Sequence, residues 1–180
     1  MSEDREAATP GTRWLDDDEL NTWVPFSGML LSLISTLDGQ LQRDARLSLF
    51  GYLVLAGLSE APERTLPMTD LALLTNGSLS RLSHAVSTLE RRGWVRRSPL
   101  PENGRITVAT LTDAGYDKVV ATAPEHVATV RRLVLDPLSE DQLRTLGETS
   151  RAILTAVAGP CAAPLRHGRG SGQLVSPDTE

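Results

Sequence analysis

The residues with the clearest potential for chemistry lie between positions 78 and 106. This segment holds six arginines and two glutamates but no lysine. A guanidinium group presents a planar set of donors that matches phosphate oxygens and the edge of guanine, whereas an ordinary soluble surface mixes in lysine. The composition therefore favours binding to a polyanion. A solvated basic face is the alternative interpretation.

A helix from Ser78 to Arg92 would carry most of this chemistry. Its apolar positions recur at helical spacing and predict one stripe that faces inward; they are Leu79, Leu82, Val86 and Leu89. Gly93 is placed to end the helix. The opposite face carries short hydroxyl groups, arginine and histidine, as a recognition helix in the major groove requires. An ordinary exposed helix face is the alternative. The candidate base-reading residues are Ser80, Arg81, Ser83, His84 and Ser87.

Turn signals on both sides of this helix predict its neighbours. The segment 75–78, Thr-Asn-Gly-Ser, predicts a tight turn after a short helix that follows Pro67, and hence a helix-turn-helix. Asn103-Gly104 between two extended runs predicts a β-hairpin with a type I′ turn, which would form a wing. Arg105 follows that turn and is predicted to enter a minor groove. Candidate phosphate contacts are Ser78, Thr88, Arg91, Arg92, Arg96 and Arg97.

The fold class expected from these patterns is mainly α: a winged helix-turn-helix lobe with a small β-hairpin wing, plus long N- and C-terminal helices that form a dimerisation domain. Pro25 predicts a kink or restart, so the first main helix is placed at 25–43. A later helix capped by Thr112 is expected to reach about Leu135, with an interruption at Pro124. The predicted regions are a flexible acidic arm (1–13), dimerisation helix (14–47), DNA-binding lobe (48–111), C-terminal dimerisation helices (112–158) and disordered tail (159–180).

Composition argues against several other classes of protein. Residues 1–20 hold seven acidic side chains and two arginines, which accounts for the whole net charge of −5. The negative total therefore does not argue against a basic surface on residues 78–106. The single cysteine, Cys161, excludes an internal disulfide, and as a thiol in a Gly/Pro-rich tail it is interpreted as incidental rather than as a redox switch. We expect no cofactor, no metal site, no enzymatic activity, no membrane association and a cytoplasmic location.

A group of large apolar residues has two interpretations. Trp23, Phe26, Met29 and Tyr52 could line a cleft for a small aromatic molecule between the first helix and the DNA-binding lobe. Aromatic residues at helical spacing are more often part of a core or a dimer interface.

The order of these elements resembles the MarR family of bacterial transcriptional regulators, from about Trp14 to Val157. The most specific segments are 89–95, Leu-Glu-Arg-Arg-Gly-Trp-Val, and 111–115, Leu-Thr-Asp-Ala-Gly. The family's wing usually carries Asp-x-Arg, where this chain has Asn103-Gly104-Arg105, and His84 lies where the family often has arginine.

The resemblance implies a homodimer that places two winged lobes on a pseudo-palindromic double-stranded operator, with release of the DNA when a small aromatic compound enters the cleft. The expected function is therefore sequence-specific transcriptional regulation, most often repression. The alternative is a winged-helix adaptor whose basic face meets an acidic protein without reading DNA.

Overall fold

The computed structural model describes residues 12–158. Most of the predicted arm, the whole predicted tail and Cys161 lie outside the described residues. The elements in chain order are α1 (Asp17–Ala45), α2 (Leu49–Ser59), β1 (Thr65–Pro67), α3 (Met68–Leu74), α4 (Leu79–Arg91), β2 (Val95–Leu100), β3 (Asn103–Leu111), α5 (Asp113–Val130) and α6 (Glu140–Ala158). This arrangement confirms the predicted mainly helical fold with a winged helix-turn-helix.

Local capping residues set the beginnings of four helices. The hydroxyl oxygens of Ser48, Ser78 and Thr112 each accept a backbone N–H from the first turn of α2, α4 and α5. Ser139 forms the expected reciprocal pair with Gln142 at the start of α6. In the turn between α3 and α4, Asn76 adopts a positive φ of 50°. These assignments follow from local sequence, because capping depends on neighbours three residues away.

Helix α1 begins earlier than predicted and runs without a restart. Asp16 caps it, and Glu19 completes a capping box by accepting the backbone N–H of Asp16. The acidic first turn also complements the positive end of the helix dipole. A strong start signal at Asp16 thus outweighs the breaking tendency of Pro25, and the predicted span of 25–43 is wrong at its beginning.

Both internal prolines are accommodated within continuous helices. Pro25 lies inside α1 and Pro124 inside α5, so the predicted interruption at Pro124 is also wrong. A proline leaves the carbonyl four residues earlier without its N–H partner. Asn21 and Val120 hold those carbonyls and are exposed, so water can hydrate them. Beyond Val130 the helix continues for five residues as a wider π-helical turn, Arg131–Leu135.

The sheet has three antiparallel strands in the order β1–β3–β2. The predicted hairpin is present, but its turn differs from the prediction. Leu100 pairs with Asn103, so Pro101 and Glu102 form the corner, and Asn103 and Gly104 belong to β3 without positive φ angles. Proline fixes φ near the value that the first central position of a common turn requires. Pro101 therefore decides where the chain reverses.

The core of the lobe lies between α2, α3, α4 and the sheet. Helix α4 contributes Leu82, Val86 and Leu89, all buried, which confirms three of the four predicted positions. The fourth, Leu79, is 53% exposed, because the first turn of α4 extends beyond the core. The sequence-based prediction therefore placed the beginning of the buried stripe of α4 one turn too early.

The hairpin is fixed to α4 by one acidic side chain. The carboxylate of Glu90 accepts the backbone N–H of Arg97 at 2.8 Å through Oε1 and the Nε–H of the same residue at 2.8 Å through Oε2. The guanidinium of Arg97 also donates to the hydroxyl of Ser87 at 3.0 Å and reaches that of Ser83 at 3.5 Å. We call this cluster the Glu90–Arg97 anchor. Charge-assisted bonds of this kind hold a fixed geometry.

Helices α1 and α6 leave apolar surface uncovered in the single chain. The exposed side chains include Trp23, Leu31 and Ile34 of α1 and Leu154 and Val157 of α6. Helix α6 makes only sparse contacts with the other elements. By length and composition, α1 is also the one helix among residues 12–158 that could cross a membrane. Its 18-residue stretch 20–37 is uncharged but includes several serine, threonine and asparagine residues.

The Glu90–Arg97 anchor predicts a pH-dependent contribution to stability. Hydrogen bonding from Arg97 holds the pKa of Glu90 below its ordinary value of 4.5. The unfolded chain then binds the proton more readily, so the stabilisation is complete above pH 4.5 and is lost as the pH falls through the folded-state pKa. We expect Glu90→Gln to lower the free energy of unfolding at neutral pH and to weaken its dependence on acid, measured by urea unfolding across the acidic range. The exposed Glu102→Gln is the control, and an unchanged acid profile in Glu90→Gln would contradict the assignment.

Candidate nucleic-acid interface

The outer face of α4 presents polar and basic side chains to solvent. Ser80, Arg81, His84 and Arg91 are exposed, whereas Ser83, Ser87 and Thr88 are half-buried. The Oγ of Ser78 accepts the backbone N–H of Arg81 at 3.2 Å, which leaves the hydroxyl hydrogen of Ser78 free to donate. The structure thus brings hydroxyl, imidazole and guanidinium donors together at the beginning of one helix.

The guanidinium of Arg81 lies over an aromatic ring. The guanidinium carbon lies 4.2 Å from the ring centre of Phe50, a residue of α2 that is buried in the core. The same ring packs against the turn before α4, where a Cβ added at Gly77 would lie 2.6 Å from the ring. A cation over an aromatic face is attracted by the ring's quadrupole. Phe50 therefore restricts the arginine while leaving its donors accessible. Sequence analysis did not connect Phe50 with Arg81.

The Glu90–Arg97 anchor gives three of the predicted site residues internal partners. Arg97 was predicted to contact phosphate, but in the structure its guanidinium forms an ion pair with the carboxylate of Glu90. Ser87 and Ser83 lie along the edge of α4 that faces the hairpin, where both accept from Arg97. The ion pair with Glu90 occupies donors of Arg97, so its phosphate contact stays a prediction that competes with an internal partner.

The remaining basic side chains of α4 and the hairpin are exposed. Arg92 donates to the backbone carbonyl of Arg46 at 2.6 Å and lies over the Trp94 ring, 5.0 Å from its centre. Arg91 donates to the hydroxyl of Thr88 at 3.1 Å. Arg96 in β2 and Arg105 in β3 are exposed on the hairpin. Since Glu90 is paired internally with Arg97, five arginines of the segment 78–106 remain against one glutamate, Glu102.

A shallow cavity of about 320 Å³ lies beside α4, where α1 ends and α2 begins. Its basic lining residues are Arg46, His84 and Arg92. Arg46 was not found from the sequence, because it lies more than thirty residues before the basic segment and no local motif marks it. Its left-handed backbone, with φ of 52°, turns the chain from α1 into α2 and so brings it next to α4.

Three of the four residues predicted to line a ligand cleft lie in two separate places. The rings of Trp23 and Phe26 are neighbours on α1, with centroids 6.2 Å apart. Tyr52 is buried, and its ring packs against His126, which lies 3.1 Å from the Gln40 side chain. Phe26 and Gln40 are fourteen residues apart, or about 21 Å along the helix. The ligand cleft stays a prediction for this set, and none of the four lines the cavity beside α4.

The Tyr52–His126 pair at the junction of α1, α2 and α5 is uncharged near neutral pH. Burial lowers the pKa of His126 and raises the pKa of Tyr52, so both groups favour their neutral forms. Residues 12–158 contain no group of three or more His, Cys, Asp or Glu side chains that could hold a metal ion. The described chemistry is thus concentrated on the surface of α4 and the hairpin.

Comparison with known proteins agrees with this arrangement. A model described as "MarR family" matches residues 47–107. One similar structure is the DNA-bound crystal structure of Sco3205, a MarR family transcriptional regulator from Streptomyces coelicolor. The two sequences are 41% identical, the match covers 84% of this chain and 95% of the Sco3205 chain, and the TM-score is 0.81. AbsC, a MarR family transcriptional regulator from the same organism, is 34% identical, covers 82% of this chain and 99% of its own, and has a TM-score of 0.78.

A shorter similarity links the chain to a curated relative. The transcriptional regulator PecS of Dickeya dadantii is 35% identical over 71 residues, which are 39% of this chain and 41% of PecS. The match thus spans less than half of that relative's length. All three relatives are described as transcriptional regulators and none as an enzyme. Because the similarity to Sco3205 extends over nearly the whole of that protein, the chain belongs to the MarR family of transcriptional regulators.

Proposed function

We propose that this protein is a sequence-specific regulator of transcription that binds double-stranded DNA as a homodimer. The observation that carries the proposal is the exposed hydroxyl and arginine face at the beginning of α4, flanked by a basic hairpin. A 41% identical relative crystallised with DNA supports it. The bound dimer would cover roughly 16–20 base pairs, since two half-sites lie about one helical turn apart. Occupying that length blocks access to a promoter, which favours repression.

The exposed residues divide into three roles. Ser80, Arg81 and His84 reach base edges in the major groove, where guanidinium and imidazole donors discriminate between bases. Arg105 enters a minor groove, whose negative potential attracts arginine. The phosphate contacts set the register of the protein on the duplex and are supplied by Ser78, Thr88, Arg91, Arg92 and Arg96, with Arg46 added from the structure.

The uncovered apolar surfaces of α1 and α6 favour a second copy of the chain as partner. Contiguous exposed apolar surface is a mark of an interaction site. Helix α1 also packs through Gln40, Leu41 and Ala45 against the rest of the chain, and its uncharged stretch is interrupted by hydroxyl and amide groups. These features fit a dimer interface better than a membrane span. They are consistent with a protein that works in the cytoplasm, where bacterial DNA is located.

A small aromatic effector is the ligand class that the family resemblance implies. Phe26 is about 21 Å along α1 from Gln40, which contacts His126 of the Tyr52–His126 pair, and Trp23 is about 26 Å from Gln40. A cleft that includes both groups would therefore need residues of the second copy. An effector bound there would change the spacing of the two α4 helices and release the operator.

The proposed function is tested by selection from a randomised duplex library. The full chain would be used to enrich a duplex of about 24 base pairs, long enough for two half-sites. Fluorescence anisotropy would then compare the enriched duplex with a scrambled one at two salt concentrations. We expect a clear preference and an affinity that falls steeply with salt. Weak and equal binding to both duplexes would overturn the proposal and favour the adaptor that binds an acidic protein.

Arg81 is expected to contribute base discrimination. Arg81→Ala should weaken binding to the enriched duplex by about 1–3 kcal/mol while binding to the scrambled duplex changes little. Arg132→Ala, which removes an exposed arginine far along the chain from α4, is the control. Equal losses on both duplexes would remove Arg81 from the readout.

Adjacent arginines in β2 should behave differently. Arg96 is exposed, so Arg96→Ala is expected to reduce the slope of log affinity against log salt by about one unit. Arg97 is held in the Glu90–Arg97 anchor, so Arg97→Ala should lower the thermal midpoint but leave that slope unchanged. A reduced slope for Arg97→Ala would place its guanidinium on a phosphate after all.

The apolar face of α6 should control assembly. Leu154 is exposed in the single chain, and Leu154→Glu places a charge on the surface that the second copy would cover. We expect a dimer to become a monomer in light scattering coupled to gel filtration, with loss of tight operator binding. Thr155→Glu adds the same charge about 100° further around the helix and should leave the dimer intact. A dimer in both variants would contradict this interface.

A further inference from the structure

Leu79 is an apolar residue in an unusual position. It is the first residue of α4, directly after the cap Ser78, and it is 53% exposed. The next two side chains, Ser80 and Arg81, are polar and exposed. Leu79 lies in the same row as Ser83 and Ser87, which follow it at intervals of four residues along the edge of α4 that faces the hairpin.

Leu79 buries only about half of its surface in the lobe. The helix is held by Leu82, Val86 and Leu89, which have almost no exposed surface, and the first turn projects beyond them. An isolated exposed leucine on a surface needs no special explanation. Leu79, however, lies in the turn of a recognition helix that comes nearest to the base edges in helix-turn-helix complexes. The chemical groups that the major groove exposes therefore determine what the Leu79 side chain can contact.

The major groove offers one apolar group to such a side chain. Guanine, cytosine and adenine present hydrogen-bond donors and acceptors, whereas thymine adds its 5-methyl group. Leucine can form no hydrogen bond, so a thymine methyl is the complementary surface. Bringing the two together removes apolar area of both from water.

We propose that Leu79 is a specificity-determining residue that reads the 5-methyl group of a thymine in each half-site. The inference rests on the proposed DNA-binding function, which it deepens by naming the base feature recognised. Ser80, Arg81 and His84 supply the hydrogen-bonding part of the readout, and Leu79 supplies the apolar part.

Replacing thymine by uracil, which lacks only the methyl group, tests the proposal. In the enriched duplex each thymine is replaced singly by deoxyuridine, and affinities are measured by anisotropy with the full chain. For the unmodified protein we expect about a fourfold loss at one position per half-site, the value for one buried methyl group. Because Leu79→Ala changes both copies of the proposed dimer, it should bind the thymine duplex about as weakly as the unmodified protein binds a duplex with uracil at that position of both half-sites, with no further loss on uracil.

Two further variants serve as controls. Leu79→Met keeps an apolar side chain and should retain the uracil penalty. Leu73→Ala removes another exposed leucine, 70% exposed on α3, and should leave the penalty unchanged. An enriched duplex that tolerates uracil at every position, or a penalty that persists in Leu79→Ala, overturns the inference while the proposed function stands. A library that yields no preferred duplex overturns both.

Discussion

The contact between α4 and β2 determines how the basic surface is arranged. Glu90 binds both the backbone N–H and the side chain of Arg97, so one carboxylate fixes the direction of the hairpin relative to the helix. Without it, the guanidinium of Arg97 would keep only the hydroxyls of Ser83 and Ser87 as partners. The ion pair is therefore one of the contacts that orient the hairpin, with Arg96 and Arg105, relative to α4. Sequence analysis assigned the charge of Arg97 to phosphate, and the structure gives the same charge an internal partner, Glu90.

The parts of the fold that depend on neighbours in sequence could be predicted, and those that depend on distant partners could not. The caps of α2, α4, α5 and α6 and the left-handed Asn76 follow from residues within one turn. Strand β1 was not predicted, because its three residues are extended through pairing with β3, some forty positions later. The two helix interruptions were mispredicted for a related reason. The effect of a proline depends on whether the freed carbonyl can reach water, which only the fold decides.

The candidate site shows the same division. The chemical character of the outer face of α4 was evident from residue types at helical spacing, and the structure leaves Ser80, Arg81 and His84 exposed as expected. Periodicity gives the direction of a side chain around the helix axis but not the point along that axis where the core ends. Leu79 was for this reason assigned to the interior. The support of Arg81 by Phe50 joins residues 31 positions apart, and no local signal announces it.

The sparse contacts of α6 have a consequence for how the protein responds to its own abundance. A helix of 19 residues is only marginally stable in water without packing, and α6 offers its apolar side to a surface that the single chain does not supply. Ordering of α6 would then be linked to association and follow mass action. In the proposed homodimer, the form able to bind an operator would increase with the square of the chain concentration at low expression. A small change in synthesis or degradation would then produce a disproportionate change in the amount of dimer.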